Sequence, residues 1–443
     1  MSVSSDPTPH IAIIGGGLGG FSLLMHLHRL GIPATLYERD QSLEARSHLG
    51  GVLDMHYESG QRSLREAGLE EHWRKFAVPE GEDTKIINSQ GNVLHEDHGF
   101  SGPPPEEGKH DETPIQEIDT DTGYIIAADA HSSNHPIDVH ERPEVDRRIL
   151  RQIMHDAVPQ SMVKWGHALK STEQLPNGAY ELTFSNGITV KADFVIGADG
   201  THSRIRPLIS SAKLAYTGFG GAEISLTPEV AAASEHTDLA EAVGQGHAFI
   251  LGDQKALIPQ RNGDGRVRVY AFFPADASFV LPAEPDIARE VLLESYQGWA
   301  PWLLKFIKYC DSNAIYQRTL YVLPIGHNWE HRPNITLLGD AAHVMSPFAG
   351  EGANLAMLDG LELALALANA RSKANPGDLR RWWDIGAEAY ETKMVPIWAN
   401  AARESDHNMK IFMGEAAPQA AVNLFLSFGP PPPQGELETQ GTR

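Results

Sequence analysis

Cysteine is nearly missing: the 443-residue chain has one, Cys310. A disulfide within the chain needs two, and thiolate-held iron–sulfur clusters or four-cysteine zinc sites need more, so all three are excluded. Histidine is plentiful at 21, yet no H-E-x-x-H or comparable ligand spacing gathers any of them, and no metal is expected. Positive charge is also in short supply: 36 Lys and Arg against 58 Asp and Glu leave −22 at pH 7. A chain this acidic repels phosphate backbones, so nucleic acid is not expected as a partner, and the excess reads as a solubilising surface. Long apolar runs are lacking too. None reaches the ~18–20 residues of a membrane helix, and the run at Ile11–Leu24 is broken by five glycines. Met1–His10 has neither the basic start nor the cleavage site of a secretory signal. The expectation is a soluble, cytoplasmic, monomeric protein with no membrane partner.

What is present is enough apolar residue, 41 %, and enough length for a sizeable core and two domains. The first forty residues read as strand, turn, helix, strand. Ile11–Ile14 is a continuous apolar run of the buried parallel kind, Phe21–Leu30 has apolar residues at helical spacing and stops at Gly31, and Ala34–Tyr37 is a second strand. Gly102–His140 is acidic and rich in Pro, Ser and His, and reads as a surface excursion with one strand at Tyr124–Ala127. Val145–Val158 reads as a helix. Tyr180–Phe184 and Ile188–Val190, joined across Asn186-Gly187, read as a hairpin. Phe194–Ala198 and Ile335–Leu338 return to the buried-strand style. Between them, from about Ser210 to Leu323, short alternating strands such as Arg266–Phe273 predominate, with one helix around Ile287–Lys308. A long helix is expected from Asp378 to about Met413, kinked at Pro396.

Three segments carry chemistry. Gly15-Gly16-Gly17-Leu18-Gly19-Gly20 satisfies G-x-G-x-x-G between a strand and a helix. Gly15 permits the tight turn, Gly17 lets the backbone approach a diphosphate, and Gly20 lets helix and strand pack closely. The diphosphate then rests on the helix N-terminus, where free N–H groups and the helix dipole favour negative charge. Glu38 ends the second strand, where an acid accepts hydrogen bonds from an unphosphorylated ribose, as in FAD or NAD. The second segment runs Val195-Ile196-Gly197-Ala198-Asp199-Gly200-Thr201-His202-Ser203-Arg204-Ile205-Arg206. Taken alone it is as well explained by a strand and an Asp-Gly turn. The third is Leu338-Gly339-Asp340-Ala341-Ala342-His343, continuing to Pro347-Phe348-Ala349-Gly350-Glu351-Gly352-Ala353-Asn354. There a strand delivers Asp340 to the mouth of the sheet, and a Pro- and Gly-rich loop leads into a helix beginning near Asn354.

In this order and at these distances the three segments resemble the single-component FAD monooxygenases of the para-hydroxybenzoate hydroxylase type, over roughly residues 10–415. Tyr37-Glu38-Arg39-Asp40, Glu44-Ala45-Arg46 with Gly50-Gly51-Val52-Leu53-Asp54, and Gly339–Asn354 look most like the tetracycline-inactivating members. The resemblance implies an α/β fold: a Rossmann-type FAD-binding domain, a second, mainly antiparallel β-sheet substrate domain, and a long C-terminal helix. The expected division is 1–80, 140–210 and 325–375 for the FAD domain, 81–139 and 211–324 for the substrate domain, 376–425 for the helix and 426–443 for a disordered tail. The resemblance also implies site roles. Gly15, Gly17, Gly20 and Glu38 match the ADP half, Arg39 beside them is expected as a cofactor-binding residue, and Arg46 matches a position near the isoalloxazine and the nicotinamide approach. Asp54 and Arg147 match flavin contacts, Asp199 the Asp-Gly motif that serves both FAD and NAD(P)H, and Asp340 the ribityl binder. Gly350, Gly352, Ala353 and Asn354 match the loop at the flavin's pyrimidine edge. Arg268, Tyr270, Pro347 and Phe348 would line the substrate cleft, with Arg268 placed to pair an acidic or enolate group.

The implied reaction is oxygenation of a small aromatic or polyketide-like molecule. Non-covalent FAD is reduced by transiently docked NAD(P)H, NADPH being favoured, and O2 then reacts through a flavin hydroperoxide. No protein nucleophile is expected. Two departures stand out: Glu351 where the family commonly has glutamine, and Ser346 where a second proline is common. Gly221, Ala248 and Arg268 align where the tetracycline enzymes carry polar side chains that grip substrate, so tetracyclines are expected to be poor substrates. The alternatives are a flavin-dependent reductase of the same fold and a non-catalytic flavin-binding protein.

Overall fold

The computed structural model describes residues 9–46, 50–77, 83–97, 142–375 and 381–428. The Gly102–His140 excursion with its strand at 124–127, and the tail from 429 onward, lie outside the described residues. Five short strands form a parallel sheet in the order Ile335–Leu337, Phe194–Gly197, Ile11–Ile14, Ala34–Tyr37 and Val163–Lys164. The run Ile11–Ile14 lies in the middle, and all four of its residues are buried. Continuous apolar strands are what a sheet covered on both faces requires. The covering helices are Leu18–Arg29, Glu351–Lys373 and Trp382–Phe412, whose Leu23, Leu361, Leu367, Tyr390 and Trp398 join the strands in one core.

A seven-stranded sheet lies beside this core, in the order Ile315–Val322, Ala215–Leu226, Val267–Pro274, Lys255–Arg261, His247–Gly252, Thr84–Asn88 and Val93–Asp97. It is antiparallel except where His247–Gly252 meets Thr84–Asn88. Its far face packs on Pro285–Ser295 through Ala288 and Leu292. Its near face packs through Ile258 and Phe272 on Phe348 and on the C-terminal Met409 and Phe412.

Several elements differ in extent from the sequence reading. The helix expected at 145–158 is Arg147–Asp156, because Glu144–Asp146 is taken into a two-stranded ladder with Val52–Asp54. The helix expected around 287–308 breaks into Pro285–Ser295 and Lys305–Lys308. Gly298 between them has φ +92°, and Pro301 supplies no N–H. Trp382–Phe412 runs through Pro396 as one helix, and a further helix, Gln419–Phe428, follows it. The hairpin forms as read, Tyr180–Phe184 pairing with Thr189–Ala192.

Candidate cofactor and substrate site

Three adjacent strands of the parallel sheet end on the same edge, and each delivers one chemical segment there. After Ile11–Ile14 the chain turns at Gly15, whose φ of +112° suits glycine. A Cβ on Gly15 would lie 2.3 Å from the Ala198 carbonyl oxygen, and one on Gly20 would lie 2.0 Å from the Gly15 carbonyl oxygen. The turn, the helix behind it and the neighbouring strand therefore close on one another with no room for side chains. Gly17 is the opposite case: nothing lies within 4 Å of where its Cβ would be, and it caps the helix Leu18–Arg29 without a side-chain hydrogen bond. No acid occupies that first turn. The result is an open, uncapped helix N-terminus, the arrangement that accepts a phosphate.

Glu38 is buried beneath this turn. Its carboxylate accepts the Gly16 N–H at 2.5 Å and the Asp40 N–H at 2.9 Å, leaving lone pairs for a ribose hydroxyl. Arg151 braces the turn from the helix Arg147–Asp156, its Nε donating to the Gly16 carbonyl at 2.8 Å. Arg39 is exposed.

The second and third segments are tied to each other. Asp199 accepts the Arg204 N–H at 2.7 Å, and burial pushes its carboxyl above the usual range. Asp340 is exposed at the start of a one-turn helix, and its Oδ2 accepts the Thr201 hydroxyl at 3.2 Å. Arg206 bolts the two together: its guanidinium donates to the carbonyls of Thr201 (2.7 Å), Ala341 (3.0 Å) and Asp340 (3.4 Å). From behind, the buried Asp359 accepts the Gly339 N–H (2.8 Å), His343 Nε2 (2.7 Å) and Trp398 Nε1 (2.8 Å).

The loop before the helix Glu351–Lys373 meets the ladder Val52–Asp54. Asn354, 1 % exposed, donates to the Asp54 carbonyl (2.8 Å) and accepts the His56 N–H (3.0 Å). A Cβ on Gly350 would sit 3.1 Å from the Asp54 carboxylate, whereas Gly352 has nothing within 4 Å. Gly350, at φ +68°, caps the helix without a side-chain hydrogen bond, which gives a second uncapped N-terminus. Ala353 is half-buried on its first turn. Arg46 ends the turn Leu43–Arg46, and Arg147 is exposed with its Cδ 3.0 Å from the Cβ position of Gly50.

The residues assigned to substrate divide into two groups. Phe348 is buried against Phe272 (ring centroids 6.3 Å apart) and Phe412 (5.7 Å), and Tyr270 stacks on Phe272 with 10° between the rings. Pro347 is exposed beside them. Arg268, 4 % exposed, is instead committed to an ion triad: Glu223 accepts Arg268 Nη1 (2.5 Å) on one oxygen and Arg318 Nε (2.9 Å) and Nη2 on the other. The Gly50 N–H also reaches Glu223, at 3.3 Å, so the triad lies under the loop that carries Gly50-Gly51. Ala248 is fully buried in the core on the far face of the sheet. Its neighbour Phe249 contacts Phe412 on the near face. At Gly221 a Cβ would lie 1.8 Å from the Ala271 carbonyl oxygen, which leaves that position without a side chain.

An open Gly17 at one uncapped helix end, an acid on the second strand, Asp340 at the third strand and a second uncapped helix end at Gly350 fit a long dinucleotide better than any single phosphate. A profile of the FAD binding domain family matches residues 8–383. The chain belongs to the FAD-dependent monooxygenases of the para-hydroxybenzoate hydroxylase type. It is 25 % identical over 471 aligned positions to monooxygenase penA of Penicillium thymicola, covering 94 % of this chain and 98 % of that protein. Its fold is similar to that of Klebsiella pneumoniae HpxO complexed with FAD and uric acid (TM-score 0.69, 18 % identity, 96 % and 94 % of the two chains). It is also similar to tetracycline destructase Tet(55) (TM-score 0.65, 18 % identity, 95 % of each). As a member of this family the chain is an FAD-binding oxidoreductase. Among the described residues no helix is long and apolar enough to cross a membrane, and no group of three or more His, Cys, Asp or Glu side chains is placed to hold a metal.

His56, Arg206, Arg151 and Asp359 were not given roles by the sequence reading. Arg206 stood within the Asp-Gly segment, and its spacing from Asp199 was the one available signal.

Proposed function

We propose that this monooxygenase uses NAD(P)H, with NADPH preferred, and O2 to oxygenate a small aromatic or polyketide-like molecule, as a cytoplasmic monomer. The observation that carries the substrate class is the aromatic cluster that joins the flavin loop to the sheet: Phe348 packed on Phe272, with the half-buried Tyr270 and the exposed Pro347 at its edge. Flat apolar rings offer a flat substrate dispersion and stacking and leave its orientation to a few polar groups. When bound, FAD would supply the redox chemistry that couples oxidation of NAD(P)H by two electrons to insertion of one oxygen atom of O2 into the substrate, the other oxygen leaving as water. The chain's own residues position and polarise. The N–H groups after Gly17 hold the diphosphate, Glu38 the ribose and Asp340 a ribityl hydroxyl. Asp54, Arg147 and the backbone from Gly350 to Asn354 meet the isoalloxazine, whose negative charge on reduction the helix N-terminus favours. Arg46 receives the nicotinamide phosphates, and Asp199 serves both nucleotides. The Glu223 triad, two guanidiniums on one carboxylate, leaves a single positive charge near the cleft, toward which an acidic or enolate substituent would turn.

The test has two parts. Acid precipitation of the purified yellow protein should release FAD in a 1:1 ratio; release of FMN, or of no flavin, would refute the cofactor assignment. Phenolic, polyketide and alkaloid compounds are then screened for stimulated NADPH oxidation, with product masses one oxygen heavier. NADPH consumption that ignores O2 would point to a reductase instead. Tetracyclines should score poorly, because Gly221 has no room for a side chain and Arg268 is committed to Glu223; tightly coupled turnover of one would sink that expectation.

A further inference from the structure

A neutral imidazole can donate through only one of its two nitrogens. His56, 5 % exposed, faces a carboxylate with each of them: Nε2 is 2.9 Å from Asp54 Oδ2, and Nδ1 is 3.3 Å from Glu351 Oε1. A neutral ring would turn a lone pair toward one of these anions, whereas a doubly protonated ring satisfies both. The main chain that carries the ring is fixed beside both acids: Asn354 accepts the His56 backbone N–H and donates to the Asp54 carbonyl. Burial lowers the imidazole's proton affinity, but hydrogen bonds and charge from Asp54 and Glu351 outweigh it and raise the pKa from 6.5 to about 9.

Glu351 is the residue that stands where this family commonly has glutamine. It lies in the first turn of a 23-residue helix with an uncapped N-terminus, the end that the proposal above sets against the isoalloxazine. An acid there suits the helix dipole, but it opposes any negative charge a ligand brings to the same N–H groups. We propose that His56 is a positioning residue that clamps Glu351 and Asp54 into a charge-compensated pair beside the flavin, so that the acid at 351 does not oppose electrons arriving on the cofactor. The inference rests on the FAD placement given above. With His56 protonated the three groups sum to −1. Loss of His56 makes the sum −2, and glutamine at 351 makes it zero.

The experiment measures the midpoint potential of bound FAD in the holoenzyme, together with FAD Kd. His56→Gln should lower the potential and weaken FAD by about fivefold, the scale of one charge at a helix terminus. Glu351→Gln should raise the potential, and the double variant should return near wild type. In the wild type the potential should fall more steeply with pH near 9, as the ring deprotonates. A loaded His56→Gln protein with wild-type potential, or a double variant no closer to wild type than His56→Gln, would overturn the clamp. Should His56→Gln fail to hold flavin, nitrogen-15 NMR of the wild-type ring decides. Two N–H groups persisting to about pH 9 support the proposal, and titration near the ordinary value refutes it. A wild-type protein that binds no flavin would instead defeat the FAD assignment, and the ring titration would still report on the clamp.

Discussion

Single residues in this site act through one or two atoms, and the expected consequences are correspondingly narrow. Asp340 presents its carboxylate from an exposed helix start, where Oδ2 accepts the Thr201 hydroxyl. Asp340→Ala should remove a charge-assisted hydrogen bond to the ribityl chain and weaken FAD by ~1.5–3 kcal/mol, read as a higher Kd in fluorescence titration of the flavin. Unchanged affinity would remove Asp340 from the cofactor. Arg46 is expected to serve the nicotinamide rather than the flavin, since a guanidinium stays charged and offers a planar fork of donors to phosphates. Anaerobic stopped-flow of Arg46→Ala should then show slower reduction and a higher apparent KM for NADPH with FAD content intact. A loss of FAD and of Tm together would mean a structural arginine. Glu38, Gly17 and Asp340 were legible in the sequence because each sits at a fixed offset from a strand end. His56 was not, because Asp54 beside it becomes half of a clamp only when Glu351, from a helix far along the chain, is brought to the other ring nitrogen.

At the scale of elements, the clearest feature is that the sheet's polar row anchors a loop. Glu223 is 2 % exposed between Arg268 and Arg318, and it accepts the Gly50 N–H as well. Removing this acid takes a carboxylate from two cations, one of them buried, and leaves the Gly50-Gly51 loop with one anchor fewer. Glu223→Gln should therefore cost about 3–5 kcal/mol, the usual scale for breaking a buried pair, and appear as a large drop in Tm. A drop of only a degree or two would show that the triad is solvated. The parallel strands were readable as unbroken apolar runs, and the hairpin from Asn186-Gly187. The three-residue strand Glu144–Asp146 was not, since a ladder so short is decided by its partner Val52–Asp54 and has no period of its own. The break between Pro285–Ser295 and Lys305–Lys308 was written in Gly298 and Pro301, but the apolar spacing on either side masked it.

For the molecule as a whole, two buried clusters set opposite limits on pH. Burial alone would raise the Glu223 carboxyl, but the two guanidiniums prevail and hold it below the ordinary range. Its contribution is present above the carboxylate's unfolded pKa and fades as pH falls through the lower native value. His56 behaves in the reverse sense: its contribution is complete below 6.5 and is lost as pH rises through about 9. Thermal unfolding followed across pH should give a plateau between these limits. Glu351→Gln should shift the alkaline edge downward, and Glu223→Gln should flatten the acid edge. An alkaline edge that does not move in Glu351→Gln would detach it from His56.

The order of strands in the parallel sheet has a temporal side. Ile11–Ile14 finds its neighbour Phe194–Gly197 only after the intervening chain has been made, and Ile335–Leu337 closes the row later still. Glu351–Lys373 then lays its surface on the first helix. On the ribosome, the glycine turn at residues 15–20 is therefore made well before the strands that complete it. Until about residue 373 has cleared the exit tunnel, the nascent chain presents apolar strand edges without their partners, the condition in which chaperones are recruited and aggregation begins. A cofactor that binds across these three strand ends can therefore engage the folded site only after that point, and its binding then favours the folded chain over the unfolded one.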